Sequence, residues 1–100
     1  MSREPKLKAS DCCNFNYQIW RFPLELTDSQ NVLMPSDSKI LSVKEQHGQL
    51  FLWAMVDGTG RPIRRRITIV GTGTPLPGSD MGKFIDSVVM DNFVWHVFAR

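Results

Sequence analysis

From Ile40 to Ala99 the chain is a succession of short apolar segments cut by turn residues, and that rhythm restricts it to β structure. Ile40–Gln46 and Gln49–Asp57 flank His47-Gly48, a two-residue loop with glycine where the backbone needs a positive φ. Phe84–Met90 and Phe93–Ala99 flank Asp91-Asn92, whose side chains tolerate the same left-handed conformation. No segment carries a 3.6-residue apolar period. The pattern predicts an all-β fold, a small antiparallel sandwich or barrel of about five to seven strands.

Earlier segments are read with the same rules. Tyr17–Phe22 is rich in aromatic and β-branched residues, and Pro23 confines it to an edge or a bend. Thr27–Asn31 reads as a polar turn with room for one helical turn. Val32-Leu33-Met34 is a short extended piece, stopped by Pro35 and the turn cluster Ser36-Asp37-Ser38. Along Gln49–Asp57, Leu50, Leu52, Ala54 and Val56 alternate with Phe51, Trp53 and Met55. Both faces are apolar, which predicts a central strand covered on both sides. Trp20, Trp53 and Trp95 are expected in the core, because a chain this short needs large side chains to fill its interior. Apolar strand faces with little else to cover them also point to a homo-oligomer. Residues 1–16 intersperse charges with single apolar residues at no period and read as a mobile tail. A single β domain is expected over residues 17–100.

Composition narrows the function classes. An apolar share of 42% fits a folded globule. Twelve Lys and Arg against ten Asp and Glu leave a net charge of +2, without the concentrated basic excess of a general nucleic-acid binder. No apolar run approaches the roughly 18 residues of a spanning helix, and the N-terminus has no signal-like apolar stretch. A soluble, intracellular protein is expected. The two cysteines, Cys12 and Cys13, are adjacent, which makes a poor disulfide. They form no recognised zinc spacing with His47 and His96. Neither metal nor cofactor is expected.

The chemistry-bearing stretch is Arg64-Arg65-Arg66-Ile67-Thr68-Ile69-Val70-Gly71-Thr72-Gly73-Thr74-Pro75. Side chains alternate along a strand, so Arg64, Arg66 and Thr68 should share one face, with Arg65, Ile67 and Ile69 on the other. Guanidinium groups spaced two apart suit an anionic ligand, with Arg65 adding to Arg64 and Arg66 if the strand ends at a subunit boundary; the bland alternative is a solvated strand whose charges discourage edge pairing. Gly71, Thr72, Gly73 and Thr74 either end the strand as a turn or add amide and hydroxyl donors to the same site. A dinucleotide fingerprint is denied by Leu76 and Pro77, and a phosphate-loop lysine is missing. Asp57-Gly58-Thr59-Gly60 superficially resembles an aspartic-protease turn, but the extra glycine separates the acid from Thr-Gly. His96 reads as a hydrogen-bonded core or edge histidine, and His47 as a turn residue. No nucleophile has a recognisable base partner, so no catalysis is expected.

Several stretches together resemble a family. Ile19-Trp20-Arg21-Phe22-Pro23-Leu24, Met34-Pro35, Lys39-Ile40-Leu41-Ser42-Val43, Leu52-Trp53-Ala54-Met55-Val56-Asp57, Gly71-Thr72-Gly73-Thr74-Pro75 and His96-Val97-Phe98 are similar to a group of small, largely uncharacterised bacteriophage proteins. The likeness covers about residues 17–99; the tail with its Cys-Cys pair departs from it. It implies a viral protein acting in the host bacterial cytoplasm and assigns no chemistry. A short non-enzymatic phage protein invites a counter-defence role. The arginine strand favours a sponge that sequesters a nucleotide immune signal, a cyclic nucleotide or an ADP-ribose-type molecule, at sites between protomers. The alternatives are a protein inhibitor of a host defence complex, in the manner of an anti-CRISPR, and a virion accessory component.

Overall fold

A computed structural model describes residues 17–100. The tail expected over residues 1–16, with Cys12 and Cys13, lies outside the described residues. Both two-residue loops take the left-handed backbone that their residue types suggested. His47 and Gly48 have φ of 53° and 81°, and Asp91 and Asn92 of 56° and 67°. Positive φ at both central positions matches the turn to the right-handed twist of its strands. The first loop joins β3 (Lys39–Gln46) to β4 (Gln49–Asp57), and the second joins β6 (Lys83–Met90) to β7 (Phe93–Ala99).

The remaining strands are β1 (Tyr17–Leu24), β2 (Ser29–Pro35) and β5 (Pro62–Gly71), and no helix occurs among the described residues. All pairing is antiparallel: a three-stranded sheet in the order β1-β4-β3 and a four-stranded sheet in the order β2-β5-β7-β6. Pro23 falls within β1, at a sheet edge as its missing N–H requires. Leu24, Val43, Leu50, Leu52, Ala54 and Val56 from one sheet meet Met34, Ile67, Ile69, Val88 and Val97 from the other. Each Val, Leu, Ile or Met side chain among them, fully withdrawn from water, contributes about 1.5–3 kcal/mol against the entropy of ordering the chain.

The edges of the two sheets meet most closely at β3 and β6. The Asp86 carboxylate on β6 accepts a hydrogen bond from the backbone N–H of Val43 on β3 at 3.0 Å, and pairs with Lys44 at 3.4 Å. Both strands bulge there, between Ile40 and Ser42 and between Phe84 and Asp86. A bulge twists a strand and ends regular pairing, so the two edges close against each other through side chains. Among the described residues, the opposite edges, β1 and β2, pair with no further strand.

Three expectations need correction. Ser29, Gln30 and Asn31 belong to β2, opposite Thr68, Ile67 and Arg66, and form neither a turn nor a helical turn. Their polarity is tolerated because Ser29 and Asn31 face solvent, while the Gln30 amide turns back onto the Glu25 backbone. Strand β4 is central, yet no second layer covers its outer face among the described residues. Phe51, Trp53 and Met55 lie on the outside of the three-stranded sheet, so Trp53 is not core, and Trp20 is 37% exposed at the rim. Two sheets packed face to face bury one face of each, and seven strands supply no third layer. Trp95 alone of the three packs against the core, its indole N–H donating to Met90 O at 3.0 Å.

Because β7 is antiparallel to both β5 and β6, those two strands run parallel, and residues 72–82 must return the full strand length across the sheet. This explains the long glycine- and proline-rich loop topologically. Its far end rests on the outer side of the four-stranded sheet, where Pro77–Met81 lie over Ser29, Arg66 and Thr68.

Candidate anion-binding face

Alternation along β5 separates the three arginines as the sequence implied. Arg64 and Arg66 stand on the outer face, opposite Leu33 and Asn31 of β2. Arg65 turns to the other side. Its Nε donates to Arg100 O at 2.8 Å and its Nη1 to Ser38 O at 3.5 Å, so it ties two backbone segments together and does not join the outer pair.

A third guanidinium arrives from the end of β7. The Arg100 N–H donates to Arg66 O at 3.0 Å, continuing the β5–β7 ladder by one residue. Arg100 then lines an open depression of about 260 Å³ with Asn31, Arg64 and Arg66. An adjoining depression of about 280 Å³ shares Arg66 and Arg100 and is walled by Pro77–Met81. Thr68, 3% exposed, belongs to its lining, and Asp80 holds Arg100 at 3.1 Å. The two ion pairs among the described residues are Lys44–Asp86 and Arg100–Asp80. Arg64 and Arg66 therefore meet no carboxylate there. Like charges held side by side on a rigid strand repel, and an anion relieves that repulsion by accepting their N–H donors.

The loop that sequence placed beside the arginines is elsewhere. Arg66 and Gly71 are five positions apart along β5, roughly 17 Å at the rise of an extended chain. Gly71 pairs with Trp95 at the opposite end of the strand. The Thr72 and Thr74 N–H groups are already engaged, by Val94 O and by Gly71 O, each at 3.1 Å. Gly73 carries the positive φ, 87°, that closes this turn. Thr72 Oγ1 lies 2.7 Å from His96 Nε2 and donates to Val94 O at 3.3 Å, while Ser87 Oγ lies 2.7 Å from His96 Nδ1. Both ring nitrogens of His96 are engaged by hydroxyl groups, Nε2 by Thr72 and Nδ1 by Ser87. His96 thus clips the start of the crossover to β7 and β7 to β6. Gly71, Thr72, Gly73 and Thr74 act as a strand end, apart from Arg64 and Arg66.

Trp53 is on the outer face of the other sheet and cannot stack over a ligand at these arginines. Asp57 is likewise committed to a turn. Its carboxylate accepts from the Thr59 hydroxyl at 2.7 Å and the Thr59 N–H at 3.0 Å, and these bonds hold its pKa below the usual 3.8. Among the described residues no three His, Cys, Asp or Glu side chains gather where they could hold a metal, and no helix is long and apolar enough to cross a membrane. Asn31, Asp80 and Arg100 were not singled out from the sequence. They come from three distant segments: the pairing of β2 and β7 with β5 brings Asn31 and Arg100 to Arg64 and Arg66, and the return of the crossover loop brings Asp80.

Residues 16–100 match a family model described as a domain of unknown function, DUF7352. No curated protein and no solved structure matches the chain.

Proposed function

We propose that this chain, which belongs to the DUF7352 family of domains of unknown function, is a non-enzymatic binding protein that takes a phosphate-bearing nucleotide on the Arg64–Arg66 face. The observation that carries this reading is the convergence of Arg64, Arg66 and Arg100 on one open depression, with Arg64 and Arg66 in no ion pair among the described residues and Asp80 of the adjoining depression paired with Arg100. A guanidinium engages two phosphate oxygens at once, and each charge-assisted bond contributes about 1.5–3 kcal/mol. The neighbouring depression under Pro77–Met81 supplies room for the rest of a nucleotide, and Leu33, 59% exposed beside Arg64, supplies an apolar surface. With the likeness to small phage proteins, the biological role that fits is counter-defence: sequestration of an anionic nucleotide signal in the host bacterial cytoplasm.

Thermal-shift and calorimetric titration against cyclic di- and trinucleotides and ADP-ribose-type molecules tests this. Loss of either Arg64 or Arg66 to alanine should weaken binding by about one to two orders of magnitude. Absence of any nucleotide binding tighter than about 100 μM, or equal binding by both variants, makes the arginines a solvated strand face.

A second reading has its own support. Ile19 and Met55 are exposed on the outer face of the three-stranded sheet, an apolar surface suited to a protein partner such as a host defence complex. A stoichiometric host protein retained through nuclease treatment and washing favours that inhibitor role. Recovery of the chain with bound nucleotide favours the sponge.

A further inference from the structure

We propose that the open edge of β1 is a homodimer interface, at which β1 of a second copy pairs antiparallel about a twofold axis near Ile19 and extends the three-stranded sheet to six strands. This goes beyond the anion site and does not depend on it, since β1 lies in the other sheet.

The four sheet edges are not equivalent. Those of β3 and β6 face each other, both bulged, with the Asp86 carboxylate occupying the Val43 N–H. The β2 edge carries Asn31, a residue type that disfavours a strand, and lies beside the charged Arg64–Arg66 pair of β5. On β1, by contrast, the register with β4 runs unbroken from Tyr17 to Leu24, and every residue except Phe22 and Leu24 is exposed. Of the devices that commonly blunt an edge it has neither lysine nor bulge, and its single arginine and single proline leave Tyr17–Trp20 unblunted. A flat strand of aromatic and β-branched residues left in this state is a template for another strand.

A second copy fits this template better than an unrelated strand because β1 is self-complementary. Its one charged residue is withdrawn from the edge: the Arg21 guanidinium lies 4.1 Å over the Phe51 ring and donates to Gln46 Oε1 at 2.9 Å. Twofold pairing therefore sets no like charges opposite each other. Pro23 also defines the register. Lacking an N–H, it belongs at a position whose nitrogen points away from β4. Tyr17, Ile19 and Arg21, at two-residue spacing from it, then direct their N–H and C=O groups outward. With Ile19 on the axis, Tyr17 of each copy meets Arg21 of the other, and the two Ile19 side chains, 62% exposed in the monomer, cover each other. One strand pair buries less than the roughly 800 Å² per partner of a standard interface, so a roughly micromolar dimer is expected.

Sedimentation velocity of the full chain across a dilution series tests the proposal. The parent should pass from dimer to monomer within the micromolar range. Ile19→Pro removes one outward N–H, as Pro23 already does, and should be monomeric throughout with an unchanged far-ultraviolet spectrum. Ile19→Lys leaves the backbone intact, places two charges on the axis, and should weaken association by about tenfold or more. Val89→Lys, at an equally exposed position on β6 (67%), should dimerise like the parent. A parent that stays monomeric at high micromolar concentration overturns the proposal. So does a dimer retained by Ile19→Lys, which remains decisive if Ile19→Pro fails to fold.

Discussion

Gly82 is the residue on which the crossover turns, and substituting it separates two kinds of glycine requirement. Its φ is +87°, and a Cβ built there falls inside van der Waals contact with the Ala99 carbonyl oxygen and carbon and the Arg100 Cα. These are backbone atoms, which cannot rotate away. Gly73 has the same φ of +87° but nothing within 4 Å, and Gly78 has neither constraint. Gly78→Ala should be neutral, or stabilising by up to about 1 kcal/mol through the unfolded chain. Gly73→Ala bears only the left-handed strain, about 1–2 kcal/mol. Gly82→Ala adds to that strain a displacement of Ala99–Arg100, which endangers the Arg100 N–H to Arg66 O bond, worth about 1 kcal/mol. Its total should be about 2–3 kcal/mol, a fall in melting temperature of roughly 10–20 °C for a domain of this size. Urea denaturation followed by circular dichroism measures all three. Gly82→Ala should also weaken anion binding under conditions where it remains folded, because Arg100 and the Pro77–Met81 wall move with it. The reasoning fails if Gly82→Ala and Gly73→Ala agree within about 0.5 kcal/mol, the usual scatter of such values.

Further outcomes follow from burial and polar contacts. Leu52→Ala, at 0% exposure, should cost about 3 kcal/mol in chemical denaturation, and Trp53→Ala on the outer face should cost less despite the larger side chain removed. Asp86→Ala strips the acceptor from the Val43 N–H and should destabilise by about 1–3 kcal/mol, with Asp86→Asn retaining part of that. Asp57 has its pKa lowered on folding, so its contribution is present above the ordinary value of 3.8 and is lost as pH falls through the lower folded value. The difference in melting temperature between the parent and Asp57→Ala should accordingly stay constant at neutral and mildly acid pH and close below 3.8.

Local features of this fold were legible in the sequence, and long-range ones were not. His47-Gly48 and Asp91-Asn92 announce their turns because few residue types accept positive φ. Pro23 announces an edge because it has no N–H. The split of Arg64 and Arg66 from Arg65 follows from strand geometry alone. Apolar alternation, however, carries no label for inside and outside. Phe51, Trp53 and Met55 are as apolar as Leu50, Leu52 and Ala54, so the uncovered face of β4 could not be told from the core. Ser29–Asn31 looked like a turn because their polarity suits both a loop and a strand's solvent face. The candidate site was half visible for a related reason. Arg64 and Arg66 are neighbours in sequence, whereas Arg100 and Asn31 reach them through β7 and β2. The Gly71–Thr74 loop, adjacent in sequence, is carried away by the length of the strand.

Arg65, held on the opposite face by Arg100 O, provides an internal control for anion recognition by Arg64 and Arg66. Nuclear magnetic resonance titration of the arginine Nε–H signals, first with inorganic phosphate and then with a cyclic dinucleotide, reads the three side chains separately in one sample. Saturable shifts at Arg64 and Arg66, with Arg100 following and Arg65 still because its Nε is held by Arg100 O, are the predicted result. Equal movement of all three arginines, or none at concentrations where phosphate is in large excess, would contradict the account.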